Sequence, residues 1–165
     1  VNVVSIKENI SDGPEGIILE ALLEGMAEYY SAELSVKIKR GKKENALKCK
    51  ANGASPPFGH KINSEQLYEI DPLASPIVLE MFTRYADGET AAHILDDLNQ
   101  RKVFEGTKKK FTNKSTIYNT FKNRRYIGEY SYGGTVIPGG MPALVPQEIF
   151  ERVQEQTAKN KQKPA

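Results

Sequence analysis

The stretch GPEGIILEALLEGMAEYYSAELSVKIKRGKKENALKC, residues 13–49, decides how this 165-residue chain is organised. Leu19, Leu22, Leu23, Met26, Tyr30, Leu34 and Ile38 recur every three or four positions, which predicts a helix with these side chains on one face. A helix of about 30 residues reaches roughly 45 Å, longer than a small core is wide. Its apolar face is therefore expected to be covered from outside its own domain, with Leu19, Leu22, Leu23, Met26 and Tyr30 as the self-association positions. Farther along, Lys37, Lys39, Arg40, Lys42, Lys43, Lys48 and Lys50 stand against Glu44 alone. A helix apolar at one end and cationic at the other predicts a chain that assembles with copies of itself and lies on a polyanion.

The formal net charge of +2 hides a segregation of charge. Between Ile62 and Glu105 the acids Glu65, Glu69, Asp71, Glu80, Asp87, Glu89, Asp96, Asp97 and Glu105 outweigh Arg84, Arg101 and Lys102. From Gly106 to Gly128 there is no acid, only Lys108, Lys109, Lys110, Lys114, Lys122, Arg124 and Arg125. Two basic islands thus flank an acidic middle. Cys49 is the single cysteine, and His60 and His93 stand apart, so neither an internal disulfide nor a metal centre is expected. No cofactor is expected either. No apolar run approaches the roughly 20 residues of a membrane span, and the free thiol fits a reducing cytoplasm. The first residue is Val1 rather than Met, which reads as a piece of something longer.

Along the chain, Val1–Ile6 reads as a buried strand, and Ser11 or Asp12 as the cap of the long helix. Asn52-Gly53 and Pro56-Pro57 end the basic region and mark a domain boundary. Phe58–Ile62 and Leu67–Ile70 predict a small hairpin. Asp71-Pro72 predicts the start of a helix whose apolar face is Ile77, Val78, Met81, Phe82 and Tyr85, stopped at Asp87-Gly88. Thr90 caps the next helix, carrying Ala91, Ile94, Leu95 and Leu98 inward. Asn113–Asn123 predicts a third, capped by Thr112 or Asn113, with Ile117 and Phe121 buried. Tyr126–Tyr132 and Thr135–Ile137 flank Gly133-Gly134 as a second hairpin. Pro146, Gln147 and Glu148 open a last helix with Ile149, Phe150 and Val153, and a frayed tail is expected after Thr157. The fold class is mainly α with small β-hairpins: a long N-terminal helix followed by a helix-turn-helix-like domain.

The third helix carries the functional signal. Its outer face holds Lys114, Ser115, Thr116, Tyr118, Asn119 and Lys122, side chains able to reach base edges and phosphates. Two consecutive amphipathic helices with the second basic outside is the helix-turn-helix pattern, although the Gln100–Asn113 connection is longer than usual. The expected partner is double-stranded DNA: Lys37, Lys39, Arg40, Lys42 and Lys43 would lie on phosphates, Asn113–Lys122 would enter the major groove, and Lys108, Lys109, Lys110, Arg124 and Arg125 would act as clamps. A transcriptional regulator without strand chemistry, or a coiled-coil adaptor whose basic face is only solvation, fits the same pattern.

The order Glu8-Asn9, Gly16, Ala27-Glu28-Tyr29, Lys39-Arg40-Gly41, Pro56-Pro57-Phe58-Gly59, Ile77–Tyr85, Ile94–Asn99, Thr112–Ile117 and Asn123–Gly128 resembles the large serine recombinases of the resolvase and invertase superfamily. The resemblance covers nearly the whole chain. It implies that residues 1–12 end a catalytic domain, residues 13–50 form a helix for dimer and tetramer assembly, residues 51–158 form a DNA-binding recombinase domain, and residues 159–165 are a tail. It implies a parent enzyme, bacterial or encoded by a phage or mobile element, whose serine breaks and rejoins DNA. That nucleophile and its arginines match no position here, and Ser5 lies within the strand, so the fragment is expected to be inactive alone. Where many relatives carry an acid–arginine pair, this chain has Tyr30-Ser31.

Overall fold

The computed structural model describes residues 13–105 and 113–162, with side chains through residue 160. The expected strand at Val1–Ile6, the caps Ser11, Asp12 and Thr112, and the run Lys108–Lys110 lie outside the described residues. The chain divides into two compact units, one ending at Glu44 and one beginning at Asn45.

Helix α1, Pro14–Leu47, dominates the first unit and spans about 50 Å. Gly25 and Gly41 do not interrupt it. Leu22 and Tyr30 are each 58% exposed, and Leu19, Met26, Leu34 and Ile38 are exposed as well. Ile17, Ile18, Tyr29 and Val36, which fall off the expected stripe, are equally open. Apolar side chains therefore stand on α1 outside the expected stripe as well as along it.

The last turn of α1 belongs to the second unit. Its end is closed by two bonds of the kind that terminate helices, Lys50 N–H to the Asn45 carbonyl at 2.9 Å and Cys49 N–H to the Ala46 carbonyl at 3.0 Å. Cys49 takes the left-handed conformation this requires, with φ of 55°. Ala46 is buried with Ala51, Tyr68, Tyr130 and Met141 in a small core. A Cβ at Gly140 would stand 2.7 Å from Cys49 Sγ and 2.7 Å from Tyr130 Cβ, so only glycine allows the chain to pass there.

That small core joins two hairpins. Strands β1, His60–Ile62, and β2, Tyr68–Ile70, pair antiparallel with Lys61 opposite Glu69. Strands β3, Tyr130–Tyr132, and β4, Thr135–Ile137, pair across Gly133-Gly134, both at positive φ as a tight hairpin turn demands. The expected strand from Tyr126 is corrected, because Arg124–Ile127 forms a 3-10 turn capped by the Asn123 side chain. Tyr126 is buried in the main core, and this outweighs its strand propensity.

Helices α2, Ser75–Ala86, α3, Ala91–Gln100, α4, Lys114–Phe121, and α5, Gln147–Gln162, enclose the main core. α2 begins four residues after Asp71: Asp71-Pro72 forms a preceding turn, in which the Asp71 carboxylate accepts from Leu73 N–H, and Pro76 occupies the first helical turn instead. Thr90 and Asn113 cap α3 and α4, accepting from His93 N–H and Thr116 N–H. Of the frayed tail expected after Thr157, residues 158–162 are helical instead, and residues 163–165 lie outside the described residues. α5 continues because Thr157 and Asn160 still contact the rest of the unit, both reaching the Tyr85 hydroxyl. Phe82 lies at the centre, with Phe121, Tyr126 and Phe150 at ring distances of 5.1, 5.4 and 6.1 Å.

Much of the acidic middle is neutralised by local pairing. Arg84 grips Glu89 through two bonds of 2.7 Å and also reaches Asp97 and Glu80, clamping α2 to α3. Arg84 beside it holds the Glu89 carboxyl down to about 2. Asp87 pairs with Arg152 of α5 at 2.8 Å.

His60 is buried against Tyr126. Its Nε2–H donates to the Pro142 carbonyl at 2.9 Å, while Nδ1 has no partner among the described residues. Burial, chiefly, and the Arg125 charge lower its pKa from the ordinary 6.5, against the opposing pull of the Pro142 bond. A depressed histidine leaves stability intact above the unfolded value, and stability is lost as pH falls below it while only the unfolded chain takes up the proton. The urea midpoint is therefore expected to fall between pH 7 and 5.5, and less steeply in His60→Gln. Equal pH dependence in the two proteins would contradict this role.

Candidate nucleic-acid interface

α4 is a short helix with two opposed faces. Ile117, Thr120 and Phe121 are buried, Phe121 stacking on Tyr85 at 4.5 Å and meeting Phe82 edge-on. The Asn113 cap starts the helix, and α3 packs beside it. Gln154 of α5 donates to the Phe121 carbonyl at 2.7 Å, holding the other end. The outer face is thereby presented on a rigid support. Lys114, Ser115, Asn119 and Lys122 are exposed, and Tyr118 is half-buried.

The expected residues do not all stand equally free. The Thr116 hydroxyl donates to Asn113 Oδ1 at 2.8 Å, so it serves the helix start. Tyr118 lies edge-on to Tyr85, and burial followed by that neighbour raises its pKa. Arg124 pairs with Glu129 at 2.6 Å, and a guanidinium N–H of Arg125 donates to the Ser131 carbonyl at 2.7 Å. Arg125 thus ties the 3-10 turn to the second hairpin. Its charge lies near both His60 and Tyr130.

On α1 the cations Lys37, Lys39, Arg40, Lys42 and Lys43 are exposed. Lys37 is 2.9 Å from Glu33 and Arg40 is 3.0 Å from Glu44, each one turn away on the same helix. Exposed pairs of this kind hold a side chain only weakly against a phosphate. Leu19, Leu22, Met26 and Tyr30 are exposed and Leu23 is half-buried. Lys108, Lys109 and Lys110 lie outside the described residues.

An open groove of about 340 Å³ runs along α4, lined by Ser115, Tyr118, Asn119 and Lys122 together with Thr157 and Asn160 of α5. The two α5 residues are not among those expected from the sequence. The signal for them was present: Phe150, Val153, Thr157 and Asn160 recur at helical spacing, with the polar pair continuing the apolar one. Among the described residues no cluster of histidine, cysteine and acid side chains is arranged to hold a metal, and no helix is long and apolar enough to cross a membrane.

A protein-family model described as Recombinase matches residues 72–160, which contain α2 through most of α5. The fold is similar to that in a crystal structure of an LSR–DNA complex, with a TM-score of 0.63 and 16% identity over 78% of this chain and 39% of that one. A structure concerned with the sequence requirements of the Listeria innocua prophage attP site matches with a TM-score of 0.59 and 17% identity, over 78% of this chain and 54% of that one. The chain therefore spans between about two fifths and about half of these solved chains. No curated protein matches it.

Proposed function

The chain belongs to the recombinase family, and from that premise we propose that its second unit binds duplex DNA as the site-recognising part of a site-specific serine recombinase. The observation that carries this reading is the outer face of α4: Lys114, Ser115, Asn119 and Lys122 exposed together on a helix anchored by its cap, by α3 and by α5. Lysines supply affinity for phosphates, and amide and hydroxyl groups read base edges. The similar fold in the LSR–DNA complex supports the same partner.

On this proposal Lys37, Lys39, Arg40, Lys42 and Lys43 place α1 on phosphates, with Lys108–Lys110, Arg124 and Arg125 assisting. The exposed Leu19, Leu22, Met26 and Tyr30, with Leu23, are the surface through which copies of the parent associate into dimers and tetramers. Breaking and rejoining of strands is assigned to the parent enzyme, in a bacterial or phage-encoded cytoplasmic setting.

The test is a titration of the chain with labelled duplexes at several salt concentrations. The logarithm of affinity is expected to fall linearly with the logarithm of salt. Lys42→Ala with Lys43→Ala is expected to weaken all duplexes alike and flatten that slope by about two. Salt-independent binding, or no binding, would refute the proposal.

A further inference from the structure

The inner stripe of α5 changes character along its length. Phe150 and Val153 are buried and apolar, but the next positions on the same face are Thr157 and Asn160. Apolar side chains on such a stripe mark the part that faces the core, and Asn160 is exposed beyond it. The stripe turns polar where it borders the groove on α4, and no acid is among the groove's lining residues.

Tyr85 organises this end of the groove. Its ring is fully buried, stacked on Phe121, while its hydroxyl receives the Asn160 Nδ2–H at 3.1 Å and lies 3.5 Å from Thr157 Oγ1. Thr157 is itself fixed by donating to the Val153 carbonyl at 2.8 Å. One bond to a buried phenol therefore orients the Asn160 amide. The carbonyl oxygen and the second N–H of that amide have no partner among the described residues. An amide that retains one acceptor and one donor carries the groups that complement the major-groove edge of adenine. A neutral amide adds little to phosphate attraction, which Lys114 and Lys122 already supply.

We infer that α5 contributes to sequence reading, with Asn160 contacting a base edge and Tyr85 acting as its positioning residue. This rests on the proposal that the unit binds duplex DNA. It adds a reading residue from a second helix, outside the basic island that contains α4.

The test selects binders from a pool of random 30-base-pair duplexes with the whole wild-type chain. The preferred duplex and its single-base variants are then titrated against wild type, Asn160→Ala and Tyr85→Phe. Asn160→Ala is expected to lose about tenfold in affinity for the preferred duplex and to stop discriminating at one base pair. Tyr85→Phe keeps the ring and is expected to lose discrimination at that same base pair, while other positions of the site stay selective. Asn160→Ala retaining the wild-type preference would overturn the inference, as would an equal loss on every duplex. A wild-type chain that binds no duplex removes the DNA-binding proposal and this inference together. Wild-type binding with unchanged selectivity in Asn160→Ala removes only the inference.

Discussion

Replacing Lys114 and Asn119 together with alanine is expected to lower affinity for the preferred duplex about 100-fold while leaving random duplexes within roughly threefold. Both side chains are on the exposed face of α4, away from Ile117 and Phe121, so the variant is expected to fold as the parent does. Asn119 has the chemistry for a base edge and Lys114 for either a base or a phosphate. Losing one phosphate contact flattens the salt slope by about one, and losing base contacts erases sequence preference. Competition titrations with specific and random duplexes separate the two losses. If specific and random affinities fell by the same factor, α4 would be holding the backbone without reading sequence.

Phe82→Ala is expected to destabilise the second unit by about 3–5 kcal/mol. Phe82 is fully buried and meets Phe121, Tyr126 and Phe150, which come from α4, the 3-10 turn and α5. Removing its ring leaves a cavity between three elements that cannot all close onto it. Domain stabilities are typically about 5–15 kcal/mol, so the midpoint in urea is expected to fall by about a fifth or more. Phe121 loses part of its seat in the same change, which links the core to the presentation of α4. A loss below about 1 kcal/mol would mean that Phe82 is not the point where these elements converge.

Where local chemistry decides structure, the sequence was readable. Thr90 and Asn113 are caps by side-chain type and position, and each makes the expected bond. Gly133-Gly134 admits the positive φ of a tight turn, and the hairpin forms around it. Elsewhere two local solutions compete. Asp71-Pro72 and Ser75-Pro76 can each open a helix, and the choice falls on the second because Ala74, Ile77 and Val78 are then buried. Tyr126 and Ile127 have strand-like side chains, yet the core draws Tyr126 inward as a turn. In α5 the lysines hide a stripe that continues through Thr157 and Asn160.

The candidate site was legible on α4 alone. Its outer face follows from helical periodicity within one short segment. The groove requires α5 beside α4, an arrangement created by the shared ring cluster of Phe82, Phe121 and Phe150. The position of the Tyr85 hydroxyl is hidden in the sequence for a related reason. Periodicity marked it as an apolar core position, but its hydroxyl emerges among polar residues that lie far away in sequence.

The most direct measurement is the change in backbone amide chemical shifts when the selected duplex is added to the isotope-labelled chain. The shifts are expected to concentrate at Lys114, Ser115, Tyr118, Asn119, Lys122 and Asn160, and to shrink as salt is raised. Saturating duplex that leaves every α4 amide in place while moving resonances elsewhere in the second unit would contradict the assignment of α4 as the reading helix.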